Sequence, residues 1–293
     1  LQLGNGGTSG SIVGNVTDNG TLAFDRSDTL TYGGVVSGTG ALVQMGTGTT
    51  VLTGTSTYSG PTTVQTGTLT VKGSISSPVT VLSTGTLAGS GTVNGNVVNQ
   101  GVVWPGNPVA GDTGYGTLTI RGNYSDPQGQ VVFNTFLGTD GSPSSRLVLD
   151  SGTTSGTSSV IVHPTGTTGA LTQNNGIQVV QAVNGATTGA QAFVLTSELR
   201  GGSYDYRLFR GSADGSAPQD WFLRSDFIVP PTSGQSLPSE PDGIPPGDSL
   251  PVNPPPSQLA PAKYPIIGPE TATYSVVQPI ARQLGLTTLG TLH

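Results

Sequence analysis

The amino-acid sequence predicts an all-β protein whose body is a right-handed parallel β-helix, a solenoid in which each coil of chain stacks on the one before. Three observations lead to this fold class. The 293 residues include 46 glycines and 22 prolines, about twice the average usage of these two residues. Only 9% of the residues are charged. Short runs of Thr, Val and Leu alternate with glycine-rich turns, which is typical of many short strands with half-buried surfaces.

A repeated tripeptide sets the expected length of one coil. Gly-Thr-Leu occurs at 67–69 and at 85–87, eighteen positions apart, and also at 20–22 and 116–118. A single coil cannot bury its inward face, so coils of that length must stack with Leu on Leu and Val on Val. The alternative architecture is an antiparallel sandwich or barrel. The Asn-Gly and Asp-Gly turns that hairpins use do occur, but at irregular spacing, which favours the β-helix.

Charge and cysteine content exclude several classes of function. The formal net charge is -6, and without a basic stripe the sequence predicts no nucleic-acid partner. No cysteine is present, which rules out disulfides and thiolate metal sites and agrees with export through an oxidising compartment. We predict neither a cofactor nor a metal. No signal peptide or transmembrane run is visible, and because residue 1 falls within a strand-rich pattern we expect the natural chain to begin upstream.

Composition divides the chain into four segments, of which the first two are expected to be structured as a solenoid. Residues 1–110 are nearly uncharged and should form the β-helix coils. Residues 111–229 contain most of the aromatic side chains, so this segment should be the most stable part and should close the C-terminal end of the stack. The run 204–210 alternates apolar with charged residues and predicts a strand with one wet face. The predicted folding-nucleus or cap residues are Tyr204, Tyr206, Leu208, Phe209, Trp221, Phe222 and Leu223.

The other two segments differ from the solenoid. Residues 230–262 are polar and punctuated by proline, a composition that cannot pack a core and predicts an extended, disordered linker. Residues 263–293 are expected to form a short helical segment, because apolar residues recur at four-residue spacing. These residues are Ala272, Val276, Ile280 and Leu284, with Pro279 as a kink or a second helix start.

Three stretches resemble one family of secreted bacterial proteins. Residues 52–64, closing with Gly-Thr-Leu at 67–69, look like the passenger-associated transport repeat of autotransporters. Residues 116–225 are similar to the pertactin-like C-terminal passenger region, which in that family is the autochaperone. Residues 264–293 resemble the entry to the translocator β-barrel. One departure is Ser144-Ser145, where the family pattern carries an acidic residue, and we expect its loss to loosen one loop.

The resemblance implies a passenger segment that is displayed on a bacterial surface. In this family the autochaperone folds first outside the outer membrane and templates the upstream coils, so the implied partner is the protein's own translocator β-barrel. We expect the barrel itself to be missing after His293. The fragment is then expected not to be embedded in a membrane, and its anchor in the outer membrane would be the absent barrel.

Candidate catalytic groups are scarce. We interpret His163 as a surface residue at the end of a strand and His293 as part of the barrel-entry motif, so neither is expected to belong to a catalytic triad. Asp25 and Asp28 flank Arg26, and we interpret them as a solvated turn instead of a carboxylate pair. The sequence therefore predicts no catalytic residue, and we expect this region not to be an enzyme.

Three functions remain open from the sequence. The first is a folding nucleus and stalk for secretion and surface display of a virulence-type passenger. The second is an adhesin whose exposed β-helix flank binds a ligand on host or neighbouring cells, or another copy of itself, with the C-terminal aromatic residues as an alternative carbohydrate platform. The third is a scaffold for a passenger enzyme whose active site lies upstream of this fragment.

Overall fold

The computed structural model describes residues 1–108, 114–228 and 263–265. Its body is a parallel β-helix with three faces, and the chain visits each face once per coil. Across the described residues the structure contains strands and no helix. The predicted fold class, an all-β parallel β-helix, is confirmed.

The strands, numbered in chain order, group by face. The first face contains β1 (Gln2–Gly7), β3 (Thr21–Arg26), β6 (Ala41–Gln44), β13 (Val97–Asn99), β16 (Tyr124–Asp126) and β19 (Thr154–Gly156). The second face contains β4 (Thr29–Tyr32), β7 (Thr49–Leu52), β14 (Val102–Pro105), β17 (Gln130–Leu137), β20 (Ser158–Thr167) and β22 (Phe193–Leu195). The long strands β9 (Thr62–Val71) and β11 (Val79–Gly89) run through the corner between these faces and join them into one 14-stranded sheet.

The third face is built from shorter strands. Its members are β2 (Val16–Thr17), β5 (Val36–Ser37), β8 (Thr55–Ser56), β10 (Ser74–Ile75), β12 (Thr92–Val93), β15 (Thr117–Arg121), β18 (Arg146–Asp150) and β21 (Ile177–Val183). β2 and β5 pair with each other, and the strands from β8 onward belong to a nine-stranded sheet.

Parallel pairing places each side chain beside its equivalent in the next coil. Leu69 of β9 lies beside Leu87 of β11, and the flanking Thr and Gly residues match as well. The eighteen-residue recurrence is therefore confirmed as one coil. The Gly-Thr-Leu copies at 20–22 and 116–118 lead into β3 and β15, which lie on different faces, so the tripeptide marks more than one corner of the solenoid.

The core is a set of apolar columns inside the solenoid. One column on the second face passes through five consecutive coils without solvent exposure: Leu69, Leu87, Val103, Val131 and Val160. Burying one such side chain stabilises the fold by about 1.5–3 kcal/mol relative to leaving it exposed. Because each coil needs to add only one apolar side chain to each column, a chain with only 33% hydrophobic residues can fill a continuous core.

Glycine occupies corners where successive coils approach most closely. A Cβ added to Gly60 would collide with the carbonyl oxygen of Gly40 in the preceding coil, and one added to Gly152 would collide with that of Gly122. Neighbouring strands lie about 4.8 Å apart, which leaves no space for a side chain that points along the solenoid axis. Close approach at the corners therefore accounts for much of the glycine content.

The coils lengthen toward the C-terminus. Ala23 lies beside Val43, twenty residues further along the chain, whereas Ser125 lies beside Ser155, thirty residues further. The added residues form loops between strands. These loops supply many of the contacts that hold the end of the solenoid.

An antiparallel cap closes the last coil. It contains β23 (Leu199–Gly201), β24 (Tyr204–Arg210) and β25 (Trp221–Arg224), which extend the third face in the order β21, β25, β24, β23. β21 pairs antiparallel with β25, although the preceding pairs on this face are parallel. The reversal covers the edge of β21, in agreement with the predicted closing role of the aromatic segment.

A short strand pair follows the cap. β26 (Asp226–Ile228) pairs antiparallel with β27 (Lys263–Pro265). Residues 263–265 were expected to begin a helical segment, but they are extended, because their backbone pairs with β26 and because Pro265 disfavours a helical conformation for the residue before it. The rest of that predicted helix, 266–293, and the predicted linker lie outside the described residues.

Candidate functional site: the C-terminal cap

The predicted cap residues come together on two adjacent strands. β24 carries Tyr204, Tyr206, Leu208 and Phe209, and β25 carries Trp221, Phe222 and Leu223. Leu208 pairs with Leu223, and Phe209 pairs with Phe222. Tyr206, Trp221, Phe222 and Leu223 are buried, while the other three are half-buried. Burial of most of these aromatic rings favours packing over a carbohydrate platform.

The alternation predicted for β24 is broken at Asp205. This residue is only 9% exposed, although the pattern assigned its side chain to a solvent-exposed face. Arg200 of β23 donates from Nε to a carboxylate oxygen of Asp205 at 3.0 Å. The ion pair compensates for burial of the carboxylate, so the wet face expected for β24 is only partly present.

Tyr206 fastens the cap to two loops of the preceding coils. Its hydroxyl lies 2.8 Å from the carbonyl oxygen of Gly138 and 3.0 Å from that of Ala170, and it accepts from the amide of Ala170 at 3.2 Å. Burial raises the pKa of Tyr206 above its ordinary value. The neutral phenol is therefore the form that the cap stabilises.

Trp221 and its neighbour Asp220 hold β25 against the rest of the solenoid through hydrogen bonds. The Trp221 indole donates from Nε1 to Oγ1 of Thr188 at 3.2 Å. Asp220 accepts from the backbone amide of Ala182 at 2.8 Å and from the side-chain amide of Gln178 at 2.6 Å. Both Asp220 partners lie on β21, so these bonds hold the reversed strand against the last coil.

A column of aromatic rings runs from the cap into the solenoid. The ring of Trp221 meets that of Phe193 edge-on, with centroids 5.4 Å apart. Phe193 in turn stacks on Tyr124, with centroids 6.1 Å apart. All three rings are buried. The cap is therefore in packing contact with β22 and, through it, with β16 two coils earlier.

The inner end of this column is a buried polar cluster made of Asn99, Tyr124, Asp126 and Ser158, referred to below as the lumen polar cluster. One carboxylate oxygen of Asp126 accepts from Asn99 at 2.9 Å, from the Tyr124 hydroxyl at 2.9 Å and from the Ser158 hydroxyl at 2.5 Å. The other oxygen accepts from the amide of Gly129 at 2.5 Å.

Every member of the lumen polar cluster is at most 1% exposed. Burial raises the pKa of Tyr124 well above its ordinary value, and the charge of Asp126 raises it further. A carboxylate in such a site is tolerated because each oxygen accepts hydrogen bonds. This cluster was not predicted from the sequence. The one available signal was a polar residue at equivalent positions of successive coils, and changing coil lengths hide that equivalence.

Loops beside the cap are held by side chains from the C-terminal coils. Asp140 accepts from the backbone amides of Gln173, Asn174 and Gly176 at 2.7–2.9 Å. Burial alone would raise the pKa of Asp140, but these three donors lower it overall.

Hydrogen bonds also hold the loop that contains Ser144 and Ser145, and its looseness relative to the family pattern stays a prediction. Ser144 and Thr135 share a hydroxyl hydrogen bond of 2.8 Å. Ser145 is buried, and its amide donates to the carbonyl oxygen of Asn134 at 2.8 Å.

Two other sequence interpretations are tested by the structure. His163 does not lie at a strand end: it is half-buried in the middle of β20, with its ring edge-on to Trp104 at 5.1 Å. Asp28 forms a two-bond ion pair with Arg26 at 2.8 Å, and Asp25 accepts separately from Gln2. The two carboxylates thus serve different partners, and both are half-exposed: Asp25 lies near the end of β3 and Asp28 in the turn that follows it.

An open groove with a volume of about 700 Å³ runs beside the cap, between β22 and β24. Its lining includes Val194, which is 39% exposed, and half-buried Leu195, Leu208 and Phe209. In the part of the chain that the structure describes, β22 pairs with β20 and with no second strand. The groove thus combines apolar side chains with a strand edge.

The described residues contain no group of three or more His, Asp or Glu side chains arranged as metal ligands. No helix able to span a membrane is found in the same ranges.

Two family models match the chain. Autochaperone Domain Type 1 matches residues 95–208, and the passenger-associated-transport-repeat matches residues 42–71. The first match contains the whole lumen polar cluster and ends within β24, and the second runs from β6 to the end of β9.

Autotransporters and uncharacterized proteins are among the curated proteins with similar sequences. Over 73% of its length the chain is 36% identical to the adhesin BmaC autotransporter of Brucella suis biovar 1 (strain 1330), of which it spans 6%. It is 34% identical, over 51% of its length, to the probable autotransporter YfaL of Escherichia coli (strain K12), of which it spans 11%. It is 32% identical, over 54% of its length, to the uncharacterized protein YdeU of the same strain, of which it spans 29%.

The two family matches and the autotransporter relatives make this capped parallel β-helix similar to the passenger region of an autotransporter. Residues 95–208 match an autochaperone domain of type 1. The segment named for passenger transport lies upstream, in the short coils.

Proposed function

We propose that the cap and the coils beneath it, residues 95–225, act as the folding nucleus of this passenger region during secretion and surface display. The observation that carries the proposal is the closed end, where β25 covers the edge of β21. A segment that closes its own C-terminal side needs no further coil there. Its upstream edge stays available for pairing, so it can template the next coil.

We set the upstream limit of the nucleus near residue 95 instead of residue 111. Asn99 supports this limit, because it donates to Asp126 from inside the solenoid. A boundary at 111 would remove that donor and leave a buried carboxylate with fewer partners. The start of the autochaperone match at residue 95 supports the same limit.

Urea unfolding followed by hydrogen exchange tests the folding nucleus. The short, Thr- and Gly-rich coils of 1–94 should lose protection from hydrogen exchange first, and 95–225 should lose it in a second step at higher urea concentration. A fragment of residues 95–228 should show β-type circular dichroism by itself, while a fragment of 1–94 should not. One cooperative transition of the whole chain, together with an unfolded 95–228 fragment, would contradict the proposal.

We also propose that the whole protein displays this region at the bacterial surface through an outer-membrane translocator barrel, its partner in the family. The autochaperone match and the autotransporter relatives support this location. Protease added to intact cells that express the whole protein should remove this region. Retention of the region inside unbroken cells would count against surface display.

Adhesion is a second candidate, favoured by the groove beside the cap and by the name of the Brucella relative. The apolar lining and the strand edge of β22 suit an extended chain from a host cell or a second copy. Cell-binding and self-aggregation assays of the purified region test this role, with Val194→Arg as the groove variant. Binding that is absent, or unchanged by Val194→Arg, would remove the groove from consideration.

We propose that this region is not itself an enzyme and that a passenger activity, if the protein has one, belongs to other parts of the protein. A panel of esterase, protease and lyase substrates should give no turnover with the purified region. Turnover that survives repurification would refute this.

A further inference from the structure

We propose that Asp126 is a positioning residue that sets the register between the autochaperone coils and the coils upstream. This inference rests on the proposed folding nucleus and names the residue through which an ordered cap would align the next coil. The carboxylate is 1% exposed, and its hydrogen-bond donors come from three successive coils.

The three side-chain donors belong to successive coils, so their hydrogen bonds to Asp126 form together only when those coils are in the correct register. Asn99 of β13 lies one coil before Asp126, Tyr124 belongs to the same strand, and Ser158 begins β20 in the following coil. Each donates to the carboxylate at 2.5–2.9 Å. A slip of one residue in either neighbouring strand would turn its donor to the opposite face. The charge would then stay buried without partners, a state that folded proteins avoid.

Apolar columns cannot enforce the register as strictly. Along the second face the column passes from Leu87 to Val103 and Val131, and these side chains differ little in shape. A slip by two residues keeps an apolar side chain pointing inward and costs little specificity. A carboxylate with matched donors distinguishes the correct alignment from such a slip, because only one alignment supplies every hydrogen bond.

The aromatic column links this residue to the cap. Tyr124 stacks on Phe193, which meets Trp221 of the cap. Packing of the cap therefore holds the Tyr124 ring, and the Tyr124 hydroxyl in turn donates to Asp126. Once the cap is ordered, the Asp126 carboxylate is therefore held in the position where it accepts from Asn99 when β13 pairs with β16.

Asp126 also lies where coil length changes. β13 follows β11 with a register step of eighteen residues, from Thr80 to Val98. The next step, from Val98 to Ser125, is twenty-seven residues. A uniform repeat cannot define the alignment at this junction, so a specific polar contact is needed there more than elsewhere.

Introduced cysteines give a direct readout of register. Val98 and Ser125 are register partners on β13 and β16, both are half-buried, and the chain contains no cysteine of its own. Paired strands about 4.8 Å apart lie within the distance range of a disulfide. A full-length chain with Val98→Cys and Ser125→Cys, refolded and then oxidised, should cross-link efficiently.

Asp126→Asn in this background should lower the cross-link yield at least about threefold, because the amide has one acceptor oxygen and slipped pairings compete. The matched control is Asp150→Asn. Asp150 is also buried, at 7% exposure, and also accepts from three side chains, those of Arg121, Ser151 and Asn184. It lies on the third face, however, where β18 pairs with β15 and β21 and not with the cross-linked strands β13 and β16. The control should cross-link like the parent chain.

A yield unchanged by Asp126→Asn, or lowered equally by Asp150→Asn, would overturn the register role. If Asp126→Asn does not fold, Ser158→Ala removes one donor and keeps the charge, and it should still lower the yield; an unchanged yield would again overturn the proposal.

The order of folding separates this inference from the folding nucleus. In a Trp104→Phe chain the remaining tryptophan, Trp221, reports the cap. A second cysteine pair at the register partners Thr63 and Thr80 reports the upstream coils. Cross-linking at 63 and 80 before Trp221 is buried would refute the folding nucleus, while the effect of Asp126→Asn on the 98–125 pair would still test the register role.

Discussion

Replacing Trp221 by alanine should destabilise the cap more than any other single change in β24 or β25. The side chain is 4% exposed and contacts the ring of Phe193 at 5.4 Å. Truncating a buried tryptophan costs about 3–5 kcal/mol. Trp221→Phe is the informative comparison, because it keeps a ring against Phe193 and removes the indole donor.

The expected cost of Trp221→Phe is much smaller. The lost hydrogen bond to Thr188 is worth about 1 kcal/mol. Thr188 Oγ1 keeps its bonds to the carbonyl oxygen of Gln219 at 2.7 Å and to Arg210 Nε at 3.2 Å, so no buried group is left without a partner.

A double-mutant cycle isolates the ring contact. Urea unfolding is measured by circular dichroism for Trp221→Ala, Phe193→Leu and the double variant. The coupling free energy should be about 0.5–1.5 kcal/mol, the range for aromatic pairs. A coupling near zero would show that the aromatic column does not connect the cap to the coils, and the reasoning would fail.

Three further predictions concern a corner, a core tyrosine and a loop anchor. Gly60→Ala should destabilise the chain by more than about 2 kcal/mol, because its Cβ meets the carbonyl of the preceding coil, while Gly7→Ala, with open space around it, should stay within about 0.5 kcal/mol in the same urea titration. Burial raises the pKa of Tyr58 to about 12. Because folding raises this pKa, the stability contributed by the neutral Tyr58 side chain is complete below about pH 10 and falls by about 2–3 kcal/mol as the pH rises toward 12. Tyr58→Phe should flatten the alkaline part of the plot of unfolding free energy against pH. An identical plot would contradict this. Asp140→Asn should speed hydrogen exchange of the three donor amides, those of 173, 174 and 176, at least about tenfold. Since the pKa of Asp140 is lowered, the wild-type loop should lose the same protection only as pH falls below about 4.

Much of the fold could be predicted because a solenoid repeats a local pattern. The match of Leu69 with Leu87 needs only a count of eighteen residues. The cap residues could be found because seven apolar or aromatic side chains cluster in a short stretch of an otherwise polar chain. Whether they act as a folding nucleus stays a prediction.

Pattern alone was insufficient where burial depends on a partner. Asp205 is charged and was assigned to solvent, yet Arg200 pairs with it and allows burial. His163 precedes a proline and was assigned to a strand end, yet β20 continues past it, since pairing with β17 holds the extended backbone.

The sequence by itself determined that this protein is a glycine-rich parallel solenoid with an aromatic C-terminal closure, because strand period, turn residues and apolar spacing are local properties of the chain. Only the tertiary structure decided that the closing strands run backward against β21 and that Asn99, Asp126 and Ser158 meet inside the coils. Those residues lie in coils of unequal length, and the side chains that meet across such coils depend on how every loop between them folds.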